Sequence, residues 1–294
     1  MSNASATPLT SIAAGVAHHH WPAHGVSHGH LILLHGIGGG KIAWTDAMGG
    51  TGAWLASQGW HVWALDFPGY GTSTLPPCES LADMARAVLA WMDAQSISQA
   101  AFLGHSMGGM VAQELHSLAP QRVQALILVG TSPAFGRSEG TWQQSFLQAR
   151  LAPLDAGLGM GHMARTLVPA MVAPNADPER VQACIAMMSA VPEATYRASL
   201  QALLRFDQRA QLPRIAVPVL VVTGEHDQTA PPVVGQRMAQ AIAGAEFALL
   251  TGAGHLANLE TPEAFHTLTR PFLNRLAPAS AASSETPDKT GDTP

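Results

Sequence analysis

The sequence predicts an α/β fold with a mostly parallel sheet flanked by helices, and three observations predict it. Six short apolar runs recur along the 294 residues, at 30–34 (HLILL), 61–66 (HVWALD), 100–103 (AAFL), 125–129 (ALILV), 218–223 (PVLVVT) and 246–250 (EFALL). None alternates polar with apolar, and continuous runs of this length suit strands buried on both faces of a parallel sheet. The early runs are separated by stretches with helical spacing, the order expected of right-handed strand–helix–strand crossovers. Hydrophobic residues make up 47% of the chain and charged ones 12%, enough apolar material for a large core.

Along the chain, residues 80–94 (SLADMARAVLAWMDA) set Leu81, Met84, Val88, Trp91 and Met92 three and four apart, with Ser80 and Asp83 as a cap. A second helical segment follows at 107–119. The alternation breaks after Val129. From 132 to 210 there are helical patterns and methionines (Met160, Met163, Met171, Met187, Met188) but no clear strand. This predicts a helical lid at 132–210, inserted after the sixth core strand, over a core formed by 12–131 and 211–276. In open α/β sheets ligands bind at the edge such a lid would cover. The Ser-, Ala-, Thr- and Pro-rich ends, 1–11 and 278–294, read as disordered tails.

Several function classes are disfavoured. A net charge of −5 with no basic block leaves no electrostatic footprint for nucleic acid. No apolar run reaches the roughly 18 residues of a membrane span, and the first residues lack the pattern of a cleaved signal. Cys78 and Cys184 form neither a disulfide framework nor a CxxC motif, so free thiols in a cytoplasmic protein are expected.

The chemistry starts at Ser106. Gly104-His105-Ser106-Met107-Gly108 ends the third run and opens a helix. Glycines two before and two after a serine on a strand–turn–helix are the spacing of a nucleophile elbow, where a tight turn leaves no room for side chains. A serine hydroxyl needs a base, and the base needs an orienting acid. Gly224-Glu225-His226-Asp227 follows the fifth run and Gly254-His255 follows the sixth, on the same sheet edge as Ser106. Ser106, Asp227 and His255 are therefore the candidate nucleophile, acid and base, with Glu225 as rival acid. His35-Gly36-Ile37-Gly38-Gly39-Gly40 follows the first run, so the amides of Ile37 and Met107 are assigned as the oxyanion hole. Gly38 is the alternative to Ile37.

Rival motifs are weaker. GIGGGK resembles a phosphate loop, but Lys41 is followed by Ile42 and position 35 is His. Asp66 reads as the anchor of a Gly-rich turn, DFPGYGTS. The histidines at 18, 19, 20, 24, 28 and 30 have no Cys or acidic cluster beside them and read as a polar edge hairpin rather than a metal site.

The ordered set LLHGIGGG, LDFPGYGTS, LGHSMGGMVA, VTGEHD and GAGHLANLETPEAF resembles the α/β-hydrolase superfamily over about residues 12–276. Within it the chain is similar to the 3-oxoadipate enol-lactonase-like and small carboxylesterase group, through TSPAFGRSEGTWQQSFLQAR, YRASLQALLRFDQRAQLPRIAVPVLVV and GHLANLE. That resemblance implies a cofactor-free, metal-free serine hydrolase acting on a small-molecule ester or lactone through an acyl-enzyme. It also implies a lid Trp and Arg near the substrate, for which Trp142 and Arg137 or Arg150 are the counterparts; His105 and Gly38 complete the expected substrate contacts. C–C hydrolases of vinylogous 1,5-diketones are also similar but usually carry Asn where this chain has His105. An α/β-hydrolase fold that binds a ligand or partner without catalysis is the alternative of another class.

Overall fold

A computed structural model describes residues 7–135 and 141–277, except for the side chain of Trp142. Arg137, that side chain, residues 1–6 and the stretch 278–294 lie outside the described residues. Eight strands form one sheet: β1 (Leu9–Ala13), β2 (Val16–Trp21), β3 (His30–Leu34), β4 (His61–Leu65), β5 (Ala100–His105), β6 (Val123–Val129), β7 (Val219–Gly224) and β8 (Glu246–Leu250). Their order is β1-β2-β4-β3-β5-β6-β7-β8. The pairs β1–β2 and β2–β4 are antiparallel and all others parallel. The six apolar runs are β3 to β8. Every residue of β5 and β7 is buried, which is why neither run alternates.

Residues 9–11, read from sequence as tail, are instead the start of β1. Its sequence LTSIA is mostly exposed and carries no burial pattern. The hairpin turn is Ala14-Gly15, both at positive φ (45° and 77°), as tight two-residue turns require; Ala in the first position hides it. Of the histidines read as an edge hairpin, only His18, His19 and His20 lie in one, on β2, which is covered by β1 on one side and β4 on the other; His24 and His28 lie in the following loop and His30 opens β3. His18 is buried and accepts from Trp91 Nε1 at 3.1 Å. His20 stacks on Trp63, ring centroids 3.6 Å apart.

The helices of the sheet layers are α1 (Thr51–Ser57), α2 (Leu81–Ala94) and α3 (Met107–Leu118). Ser80 caps α2 as its spacing predicts, accepting from Asp83 N at 3.1 Å. Between β6 and β7 lie α4 (Thr141–Asp155), α5 (Gly159–Met171), α6 (Pro178–Ser189) and α7 (Glu193–Leu204). This insertion leaves and rejoins the core through one stem. Phe135 N donates to Phe206 O (3.2 Å) and Gln208 N to Pro133 O (2.7 Å). Then come α8 (Pro232–Gln240), α9 (Ala257–Glu260) and α10 (Pro262–Leu276). Among the described residues, no helix is long and apolar enough to cross a membrane.

Candidate active site

Ser106 sits where β5 turns into α3, with φ 51° and ψ −116°. Such a backbone is costly for a residue with a Cβ and persists only where its surroundings impose it. Those surroundings are tight. A Cβ on Gly104 would lie 2.4 Å from Gly108 O, and one on Gly108 would lie 2.1 Å from Leu34 O. The turn is pinned from β6: Ser106 N donates to Val129 O (2.9 Å), and Thr131 Oγ1 donates to Ser106 O (2.8 Å).

The three residues gathered from the strand ends meet. Ser106 Oγ is 3.0 Å from His255 Nε2, and His255 Nδ1 is 2.9 Å from Asp227 Oδ2. Asp227 Oδ1 accepts from the amides of Thr229 and Ala230, each at 2.8 Å. The carboxylate is buried with both oxygens occupied, so Nδ1 carries the imidazole proton and the Nε2 lone pair faces the serine hydroxyl. Glu225, the rival acid, is exposed and accepts from Gly252 N instead.

The loop carrying His255 is held on several sides. Its amide donates to Met171 O (2.7 Å). Glu260 accepts from Gly254 N (3.0 Å), Leu256 N (2.9 Å) and Ala173 N (2.7 Å), tying the loop to the end of α5. His105 Nε2 donates to His255 O at 2.8 Å. Burial and the neighbouring His255 push the His105 imidazole down to about 4, so it is neutral at physiological pH. His105 lines the cavity, but its Nε2 is engaged by the His255 carbonyl and not offered to a ligand.

The glycine stretch after β3 is clamped at Gly36. Gly36 O accepts from His35 Nδ1 (2.7 Å) and from Gly39 N (3.0 Å). His35 Nε2 accepts from Phe67 N (3.2 Å), which fixes the tautomer that lets Nδ1 donate. In a trans peptide the N–H points opposite to the carbonyl, so the bonds on Gly36 O set the direction of the Ile37 amide. A Cβ on Gly36 would lie 3.3 Å from Ser106 Cβ, so a bare backbone passes directly beside Ser106. Met107, first residue of α3, has no intrahelical acceptor for its N–H and sits at the positive end of the helix dipole. Ile37, Gly38 and Met107 line the same cavity as Ser106 and His255.

Lys41 and Asp66, distant in sequence, form a buried ion pair of 2.5 Å. Burial disfavours the Asp66 carboxylate, but the Lys41 ammonium and amide outweigh it and hold the carboxyl below its ordinary value. A Cβ on Gly71 would fall 2.0 Å from Asp66 Oδ2, so that glycine admits the carboxylate. Asp66 is thus an anchor of the turn. Nothing local in the sequence pairs it with Lys41, and Glu260 likewise escapes notice because its three donors are assembled only on folding.

The cavity over Ser106 measures about 690 Å³, within the range of small-molecule sites. The insertion forms its roof with Phe146, Leu167, Met171, Met187, Met188 and Tyr196. Arg150 also lines it, its guanidinium 3.4 Å from the centre of the Phe146 ring. Burial lowers the Arg150 pKa, with the Tyr196 hydroxyl opposing that effect. Among the described residues Arg150 has no acidic partner, and no Asp or Glu lines the cavity. Arg209 also lines it, but is paired with Asp207. Arg165 is exposed on α5.

With this geometry in place, the chain belongs to the α/β-hydrolase fold family, whose model matches residues 29–262. It is an α/β-fold hydrolase. It is 31% identical over 265 residues to a protein of Variovorax paradoxus named "Putative carbamate hydrolase RutD", covering 88% of this chain and 97% of that one. It is 30% identical over 220 residues to 3-oxoadipate enol-lactonase 2 of Acinetobacter baylyi, covering 74% and 79%. Among solved structures, the enol-lactonase from Burkholderia xenovorans matches with a TM-score of 0.76 and 27% identity, covering 90% of this chain and 100% of that one.

Proposed function

We propose that this hydrolase cleaves a small carboxylic ester or lactone through Ser106, His255 and Asp227, by way of an acyl-enzyme. The observation that carries the reading is the continuous hydrogen-bond line from Ser106 Oγ through His255 to Asp227, opening on a mostly apolar cavity. The relatives named enol-lactonase support an ester-type carbonyl as the target.

His255 Nε2 takes the Ser106 proton as Oγ bonds to the carbonyl carbon. The carbonyl oxygen becomes an oxyanion, received by the Ile37 and Met107 amides. These donors are fixed in advance, so little reorganisation is required as charge develops. Asp227 stabilises the imidazolium, which then delivers its proton to the leaving oxygen as the C–O bond breaks. Water, deprotonated by His255, attacks the acyl-enzyme; collapse of the second intermediate returns the proton to Ser106 and releases the acid. In a lactone the leaving oxygen stays attached to the acyl chain.

The roof formed by the insertion acts as a lid, and Arg150 in it meets a carboxylate on the substrate. A guanidinium with no acidic partner among the described residues, in a cavity lined by no Asp or Glu, supports that role.

The test is Ser106→Ala assayed on p-nitrophenyl esters and enol-lactones, alongside fluorophosphonate labelling of the native enzyme. Turnover falls by about 10⁴-fold or more and the label sits on Ser106. A variant retaining a tenth of native turnover would overturn the mechanism.

A further inference from the structure

Tyr70 lies in the Gly-rich turn after β4, and the proposed mechanism gives it no part. Its side chain is buried and its ring packs edge-on against His35, centroids 4.7 Å apart. Its hydroxyl makes two contacts: Ile37 O at 3.1 Å and Ser199 Oγ at 2.8 Å. A phenol has one proton. A carbonyl can only accept, so if both bonds stand, Tyr70 donates to Ile37 and Ser199 donates to Tyr70. The direction of the chain is thereby fixed, from Ser199 Oγ–H to Tyr70 Oη–H to the Ile37 carbonyl. Each bond polarises the next.

Ser199 belongs to α7, in the insertion. One helical turn earlier, on the same face, Thr195 Oγ1 donates to Gly69 O at 2.8 Å. Gly69, at φ 82°, leaves that space: a Cβ there would lie 2.9 Å from Thr195 Oγ1. The lid helix therefore docks on Gly69 and Tyr70 by two hydrogen bonds, and the buried one continues into the stretch beside Ser106. His35 holds the peptide on one side of Ile37 through Gly36 O, and Tyr70 holds the peptide on the other side through Ile37 O.

We propose that Tyr70 is a positioning residue that fixes the Ile37 segment of the oxyanion site, and that Ser199 makes this geometry depend on the seating of the lid. The proposal rests on the reading of Ile37 as an oxyanion donor. The Tyr70 hydroxyl does not touch substrate; its effect is on a backbone that must be stiff when charge develops on the carbonyl oxygen.

The experiment compares Tyr70→Phe, Ser199→Ala and the double variant with native enzyme on one p-nitrophenyl ester, after active-site titration with a fluorophosphonate. A boronic acid that forms an anionic tetrahedral adduct on Ser106 serves as probe of the oxyanion site. Tyr70→Phe lowers kcat per titrated site roughly 10-fold with KM within about two-fold, and weakens the boronic acid in parallel. Ser199→Ala has a smaller effect of the same kind, and the double variant is no worse than Tyr70→Phe alone. A merely structural tyrosine would lower the titre and the melting temperature while leaving kcat per site and inhibitor affinity unchanged, and that result overturns the proposal. Should Tyr70→Phe not fold, Ser199→Ala decides: unchanged boronic acid affinity overturns the coupling. If native Ser106 takes no label, the proposed function itself fails; if it labels and Tyr70→Phe behaves as native, only this inference fails.

Discussion

His105 Nε2 lies 2.8 Å from the backbone carbonyl of His255, so the residue before Ser106 holds the loop that carries His255. Replacing it with Leu removes the donor and leaves a buried carbonyl unpaired, a cost of about 1–3 kcal/mol. His105→Leu is expected to lower the melting temperature and to reduce kcat more than it raises KM. Thermal denaturation and steady-state kinetics check both.

Two glycines make a matched stability test. At Gly108 a Cβ would meet backbone, 2.1 Å from Leu34 O, while at Gly157 (φ 77°) it would meet nothing within 4 Å. Gly157→Ala therefore loses only the left-handed backbone preference, about 1 kcal/mol. Gly108→Ala forces β3 and the elbow apart and is expected to cost several times more, or to leave no soluble protein. Urea unfolding of the two variants measures the difference.

Acid should weaken the fold through its histidines. Burial pushes His20, His105 and His266 down to about 4, with His61 and its neighbours adding to the effect at His20, His255 at His105 and Arg270 at His266. Each has a lower pKa folded than unfolded, so the unfolded chain binds protons first. Their contribution is complete above about pH 6.5 and is lost as pH falls towards 4. Melting temperature measured from pH 7.5 to 4 declines across that window, and His20→Phe makes the decline shallower.

On the proposed function, Arg150 would separate charged from neutral substrates. Arg150→Met keeps the packing on Phe146 and removes the charge. It is expected to raise KM roughly 10-fold or more for an ester or lactone bearing a free carboxylate, and to leave KM for its neutral methyl ester within about two-fold. Steady-state kinetics on the matched pair provides the comparison.

Strands β3 to β7 are legible because burial on both faces leaves an uninterrupted apolar run; β8, at the sheet edge, is mostly exposed or half-buried and is legible only as a short apolar run. The candidate residues Ser106, Asp227 and His255 stand out because each follows such a run. β1 is not legible, since its residues face solvent and its turn uses Ala14 where Asn or Gly would signal it. The supports of the site are the least legible. Lys41 meets Asp66 across 25 positions, Tyr70 meets Ser199 across 129, and Glu260 gathers amides from two segments. Such partners are chosen by the packing of whole elements and leave no periodic mark.

The stem of the insertion has an evolutionary consequence. Phe135 and Phe206 stand side by side, joined by a backbone bond, so everything between them enters and leaves the core at one point. A segment with adjacent ends can be lengthened, shortened or exchanged as a cassette without shifting the strands that aim Ser106, Asp227 and His255. On the proposed function, bond breaking rests on the core and choice of molecule on the insertion, and a transplanted cassette would have to rebuild the contacts that join them, Met171 O and Ala173 N on the His255 loop and Ser199 on Tyr70.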